Sequence, residues 1–189
     1  LMSSLSFAIL TLGTLLGFLD AQEQLVSPSL RPEHWQNAQM LPLDKVILDG
    51  QCRRLSASEQ AALPQLPSGL WQLDNGARVS FKFKGTQAAV YDLTGPGCGA
   101  VEINLDRSST IINRFAGDST EYRPAVLSIG NGLDGNAIHE VVIRALPEPP
   151  DKRKILFTDK LPDLDAHPEK YQGAHWYAGA ILLSGTMVK

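Results

Sequence analysis

From Leu70 onward, apolar and polar residues alternate with a period of two. Val79, Phe81 and Phe83 interleave with Ser80, Lys82 and Lys84, so an extended chain here buries one face and wets the other. The pattern returns in Val101, Ile103 and Leu105, and again in Val141 and Ile143. Turn signals divide the segments. Gly85-Thr86 reads as a turn, with a returning strand over 87–93. Gly95-Pro96-Gly97-Cys98-Gly99 reads as a loop, and so does the Gly/Asn-rich run 130–136. Further strands are predicted at 110–115, 125–129 and 138–146, with a short one at 154–157. Residues 177–188 are longer and mostly apolar, as in a central strand covered on both faces. About eight strands at this spacing predict an all-β, antiparallel, jelly-roll-like β-sandwich over residues 70–189. Its expected core is Val79, Phe81, Phe83, Val101, Ile103, Leu105, Val141, Ile143, Ile181 and Leu183. No helix of useful length intervenes, which excludes a parallel α/β sheet, whose crossovers need helices.

The region before Leu70 reads differently. Residues 1–20 are apolar on every side, predicting one helix that a single sandwich face cannot cover. We expect it to be the end of a domain lying upstream. A signal peptide would need a basic start, and a membrane span needs about 20 apolar residues without dilution by Ser, Thr and Gly; either would make the chain a secreted or membrane-tethered sandwich. Residues 21–69 read as an irregular connector punctuated by Pro28, Pro32, Pro42, Pro64 and Pro67. Within it, Val46 to Leu48 suggests a short strand running into an Asp49-Gly50 turn. Ser56 with Glu59 forms a capping-box pattern before a short helix.

Composition narrows the function classes. The chain has 17 basic and 20 acidic residues, a net charge of −3, and no basic run beyond Lys152-Arg153-Lys154. That argues against a nucleic-acid surface. Cys52 and Cys98 fit no zinc or redox spacing and are read as two unpaired thiols. The four histidines form no ligand pair, so neither a metal nor another cofactor is expected. Asp74, Asn75, Asp92, Asp134 and Asn136 offer oxygen ligands without a calcium-loop spacing, and read as solvated loop residues.

Several segments resemble a known family. They are Val79-Ser-Phe-Lys-Phe-Lys-Gly-Thr86, Val90-Tyr-Asp-Leu-Thr-Gly-Pro96, Val101-Glu-Ile-Asn-Leu-Asp106 and His139-Glu-Val-Val-Ile143. With the ending from Pro168 to Gly185, they look like the β-sandwich accessory domain attached to SGNH/GDSL-type hydrolases, esterase- and lipase-like proteins. The resemblance covers residues 70–189 and is carried by scaffold positions. It implies a non-catalytic module that supports a hydrolase domain or binds carbohydrate. In that architecture the esterase domain comes first, so the partners implied are an upstream hydrolase domain of the same protein and carbohydrate, with no nucleic acid and no membrane. A secreted or periplasmic setting would suit such a protein, though nothing in the residues fixes the compartment.

Two candidate sites compete. Phe115 to Thr120 contains Gly-Asp-Ser, and Asp163 to Pro168 contains Asp and His near the spacing of an SGNH block. Ser119, His167 and Asp163 would therefore be the relay of a stand-alone serine hydrolase. The carboxylates stand four and two residues before His167 rather than three, and no helix pattern follows Ser119. Coincidence is the better reading, with no catalytic residue assigned. For a glycan, the platform would use exposed aromatics among Trp71, Tyr91, Tyr122, Trp176 and Tyr177. The loops 95–99 and 130–136 would flank it. His175-Trp176-Tyr177 draws notice because aromatics beside polar residues build sugar platforms.

Overall fold

A computed structural model of the chain describes Trp35 and residues 37–189; the expected helix over 1–20 lies outside them. Eight strands occur among the described residues: β1 (Ala38–Leu41), β2 (Ile47–Arg54), β3 (Trp71–Thr94), β4 (Ala100–Leu105), β5 (Ser108–Asn113), β6 (Arg123–Asn131), β7 (Ile138–Ala145) and β8 (Trp176–Val188). The architecture is a mostly antiparallel β-sandwich. One layer runs β2, the first half of β3, β7, β4 and β5. The other runs β1, β8, the second half of β3 and β6.

Strand β3 belongs to both layers, and here the sequence reading is corrected. Gly85-Thr86 is no hairpin turn but a bend within one 24-residue strand. The alternation slips there: the core takes Val79, Phe81 and Phe83 before it and Ala88 and Val90 after it. Glycine is required because β8 crosses at this point. A Cβ on Gly85 would overlap the Ser184 carbonyl, and one on Gly185 would overlap the Lys84 carbonyl. The registers set Lys82 opposite Val188 and Asp92 opposite Ala178, and Ala178 also faces Trp71. Strand β8 is thus flanked near its start by both ends of β3.

The core joins the two layers through Val79, Phe81, Val101, Ile103, Val141 and Ile143 on one side and Val90, Leu127, Ile181 and Leu183 on the other. Of the ten expected core residues, all are buried except Leu105, which packs half-buried at its edge. Strand β8 is covered on both faces along 176–184. On its outer side, Leu182 and Ala89 pack with Trp35, Tyr91 and Val126.

Three local readings differ from the structure. The stretch read as connector supplies β1, too short to announce itself, and β2, which begins in the short strand read at Val46 to Leu48 but runs on to Arg54; they pair with β8 and β3. Gly50, at φ +83°, is not a turn but sits where β2 shifts register against β3. Residues 154–157 form no strand; Lys152–Ile155 is one helical turn, with the Asp151 side chain accepting the Lys154 N–H at 3.3 Å. The Ser56–Glu59 capping box is present and starts the helical turn Ala57–Gln60.

Candidate functional site

The Gly95-Pro96-Gly97-Cys98-Gly99 loop is buried throughout, which is unusual for a connection. Burial demands that its backbone groups find partners. They do: Gly95 N–H donates to Arg114 O (3.3 Å) and Gly99 N–H to His175 O (3.0 Å). Gly97 O accepts from His175 N–H (3.1 Å) and Gly99 O from Arg114 N–H (2.8 Å). Pro96 O accepts from the Lys152 ammonium at 2.5 Å, which also donates to Gly173 O at 3.0 Å. Burial pulls the Lys152 pKa down to about 8. The Tyr122 ring lies on Gly95 and Gly97, where any Cβ would collide with it. The ring also meets Tyr177 edge-on, centroids 5.5 Å apart.

Beneath this loop sits a buried charge pair. Asp92 is wholly covered; its Oδ1 accepts from Arg114 Nη2 at 2.6 Å and its Oδ2 from the Trp176 indole N–H at 3.1 Å. Burial pushes the Asp92 pKa up to about 6, against the pull of the Arg114 guanidinium and the indole. Asp92 belongs to the Tyr-Asp-Leu segment and Trp176 to the His-Trp-Tyr segment. Their bond explains why both stand where they do: they tie β3 to β8.

A second polar cluster faces solvent beside it. His175 Nδ1 lies 2.5 Å from Asp74 Oδ1, so Nδ1 carries the proton and donates. Gln72 Nε2 donates to Asp74 Oδ2 at 2.8 Å. Arg53 bridges Gln72 (2.7 Å) and Glu59 (2.5 Å). Gln72 and Asp74 point away from the core that Leu73 enters, by ordinary strand alternation. Next to this cluster opens a groove of about 220 Å³, lined by Asp74, Asn75, Pro147, Pro149, Ala174 and His175, with Gly173 completing it. The His175 ring continues to Tyr177, 5.7 Å away between centroids.

The aromatics proposed as a platform do not share one surface. Trp176 and Tyr177 are buried, at 1% and 8% exposure. Trp71 packs half-buried against the main core. Tyr91 packs on the outer face of β8 beside Trp35. Tyr122 alone joins the His175 neighbourhood while staying partly open. The two loops expected to flank one platform stand at opposite ends of the Gln87–Thr94 stretch of β3: Leu133 N–H donates to Thr86 O, whereas 95–99 follows Thr94.

Ser119, His167 and Asp163 are each engaged elsewhere. Ser119 is buried, and its Oγ accepts the Ala116 N–H at 2.9 Å. His167 is exposed, with Nδ1 3.8 Å from Glu169. Asp163 accepts from Tyr171 and, at 3.1 Å, from Lys170. Among the described residues no side-chain hydrogen bond links the three; His167 N–H donates to the Asp163 backbone carbonyl at 2.9 Å, a helix-end contact and not a relay. The five oxygen ligands considered for calcium do not converge: Asp74 and Asn75 line the groove, away from the rest. Asp92 is paired with Arg114, while Asp134 caps the Asn136 N–H at 2.9 Å. The Asp134 carbonyl meets His139 Nε2 at 3.0 Å, and His139 Nδ1 meets Asp106 at 3.0 Å. Among the described residues no three His, Cys, Asp or Glu side chains gather to hold a metal ion. Both cysteines are free thiols, Cys98 fully buried.

Sequence reasoning missed Arg53, Gln72 and the groove. The signal available was the polar face of Gln72 and Asp74 around Leu73, which points a pair of hydrogen-bonding side chains outward without saying what they meet.

No family model matches the chain, and no curated protein matches it. Solved structures do. A two-domain esterase active on acetylated mannans aligns over 86% of this chain and 39% of its own, at 13% identity and a TM-score of 0.50. A family two carbohydrate esterase from Cellvibrio japonicus aligns over 79% and 34%, at 9% identity and a TM-score of 0.44. A carbohydrate-binding module, CBM36, in complex with calcium and xylotriose aligns over 76% and 97%, at 13% identity and a TM-score of 0.39. The first of these supports the sandwich architecture described above. This chain spans 34% to 39% of the two esterases' lengths.

Proposed function

We propose that this chain is a non-catalytic β-sandwich module of an SGNH/GDSL-type carbohydrate esterase, and that it binds carbohydrate at the His175 end of the sandwich. The observation that carries the reading is the groove itself. Asp74, Gln72 and His175 hold one another in fixed geometry at its rim, with the Tyr122–Tyr177 pair beside them. Preorganised polar groups facing the apolar rings of Pro147 and Pro149 suit a hydroxyl-rich ligand with apolar ring faces. The fold shared with a two-domain esterase active on acetylated mannans, and the scaffold motifs that resemble the accessory domain, support the context of a neighbouring hydrolase. The commitments of Ser119 and His167 to other partners favour this module over a stand-alone serine hydrolase.

Two measurements test the reading together. The chain should turn over p-nitrophenyl acetate no faster than its Ser119→Ala variant. Calorimetry with acetylated mannan, xylan and pectin oligosaccharides should show binding to at least one. Activity that depends on Ser119 would sink the non-catalytic assignment. Silence with every glycan would remove carbohydrate binding and leave a supporting scaffold.

A further inference from the structure

The groove's chemistry names the kind of ligand it takes. Asp74 is held by two donors, Nδ1–H of His175 and Nε2–H of Gln72. A carboxylate has about four acceptor positions, so two remain for a ligand. Asn75 donates one of its two amide N–H groups to Gln51 Oε1 at 2.6 Å and keeps the other, with its carbonyl oxygen, to offer. The neighbouring cations are both engaged and neither lines the groove: Arg53 by Glu59 and Gln72, and Lys152 by the Pro96 and Gly173 carbonyls. The site therefore presents the Asp74 carboxylate and the Asn75 amide, with no Lys or Arg side chain among its lining residues.

Size and walls restrict it further. About 220 Å³ falls short of the roughly 300–1,000 Å³ of pockets for drug-sized ligands, and is far more than a bare cation fills. Pro147 and Pro149 form one wall; their rings are stiff, apolar and without N–H donors. Asp74 and His175 side chains are 26% and 31% exposed, so a ligand there displaces little bulk water and meets hydrogen bonds already aligned.

We propose that this groove is a subsite for a single neutral pyranose ring. Two neighbouring hydroxyls donate to Asp74, and a C–H face of the ring lies against Pro147 and Pro149. Uronic acids are rejected, because their carboxylate would approach Asp74 without a counter-charge. The proposal rests on the carbohydrate-binding reading and specifies it.

The test uses the whole chain. Saturation-transfer NMR and calorimetry are run with the methyl glycosides of xylose, mannose and galactose, with galacturonic acid, and with a neutral oligosaccharide. At least one neutral glycoside should bind in the millimolar range typical of a single small ring, and galacturonic acid should not. Asp74→Asn, nearly isosteric, should weaken binding by about tenfold. Pro149→Trp, on an exposed wall, should block the groove and abolish binding whether or not Asp74→Asn folds well. If both variants bind oligosaccharide as the unmodified chain does, the groove is not the site, although carbohydrate binding stands. If galacturonic acid binds equally well, the assigned ligand class is wrong. If no glycan binds at all, the subsite and the carbohydrate reading fall together. A response to Ca²⁺ alone, abolished by Asp74→Asn, would replace the sugar with a cation.

Discussion

Asp74 and Asp92 lie on the same strand and carry the same carboxylate, yet they do different work. They stand near opposite ends of β3, and β8 brings both ends together, because Ala178 pairs with Trp71 and with Asp92. Consecutive residues of the arriving chain then serve one each: His175 takes Asp74 and Trp176 takes Asp92. Asp92 is sealed from water with a guanidinium, and Asp74 is left at a groove with an imidazole and an amide. Burial and partner decide the role. A sealed carboxylate can only hold the fold, whereas one with open acceptor positions can hold a ligand.

Breaking the sealed pair should have the largest effect. Asp92→Ala leaves the Arg114 guanidinium buried without its counter-charge, and Arg114 Nε already lacks a partner among the described residues. Removing one member of a buried pair costs about 3–5 kcal/mol, measurable from urea unfolding midpoints at constant slope. Replacing both, as in Asp92→Leu with Arg114→Met, should recover much of that loss, because no orphaned charge remains. A double variant as unstable as Asp92→Ala would show that the geometry of the pair, not its charge balance, secures β3 to β8.

Lys152 extends the contrast to a cation with no carboxylate at all. Its ammonium rests on two backbone carbonyls and lies 5.2 Å from the Phe115 ring centroid. Burial lowers its pKa from 10.5 to about 8, so the folded chain holds this proton less tightly than the unfolded chain. A group lowered on folding contributes stability that is complete above its unfolded value and is lost as pH falls through its folded value. Lys152 should therefore add stability between pH 8 and 10.5, by about 2–3 kcal/mol. Cys98 opposes it in the same range, since burial raises its pKa to about 12. The difference between the unmodified chain and Lys152→Met isolates the lysine. A flat difference curve from pH 7.5 to 10.5 would mean that the two carbonyls offset the whole cost of burial.

Period-two alternation made most of this fold legible. It located the core of β3, β4 and β7 because each of those strands has one dry face, whereas β8 was legible as a continuous apolar run because both of its faces are covered. It failed where the strand changes layers: at Gly85 the alternation slips by one, and a bend enforced by a crossing strand looks like a hairpin turn. It stopped β2 at Leu48, because Asp49, Gln51 and Arg53 face water and Gly50 looks like a turn. The site was less legible. Glycines at 95, 97 and 99 announced a loop, but nothing in their spacing shows that Tyr122 and Ala174 press on them and bury it. The aromatics drew attention by type, whereas tertiary packing sends Tyr91 to one face and Trp176 to the interior. The groove arises from residues about a hundred positions apart, Asp74 and His175, and only the topology brings them together.

The smallest stability change belongs to the open carboxylate, and it sharpens the contrast most directly. Asp74→Ala removes a partly exposed contact with His175 and one hydrogen bond from Gln72. Both former donors can turn to water, so no buried group is stranded. The cost should stay near the surface-pair range of about 0–1 kcal/mol, several-fold below that of Asp92→Ala measured in the same urea titration. The unfolding slope should not change, because the surface exposed on unfolding is the same. An Asp74→Ala loss approaching that of Asp92→Ala would mean that the rim of the groove is part of the scaffold. Its carboxylate would then be serving the junction of β3 and β8, and the division of labour between the two aspartates would fail.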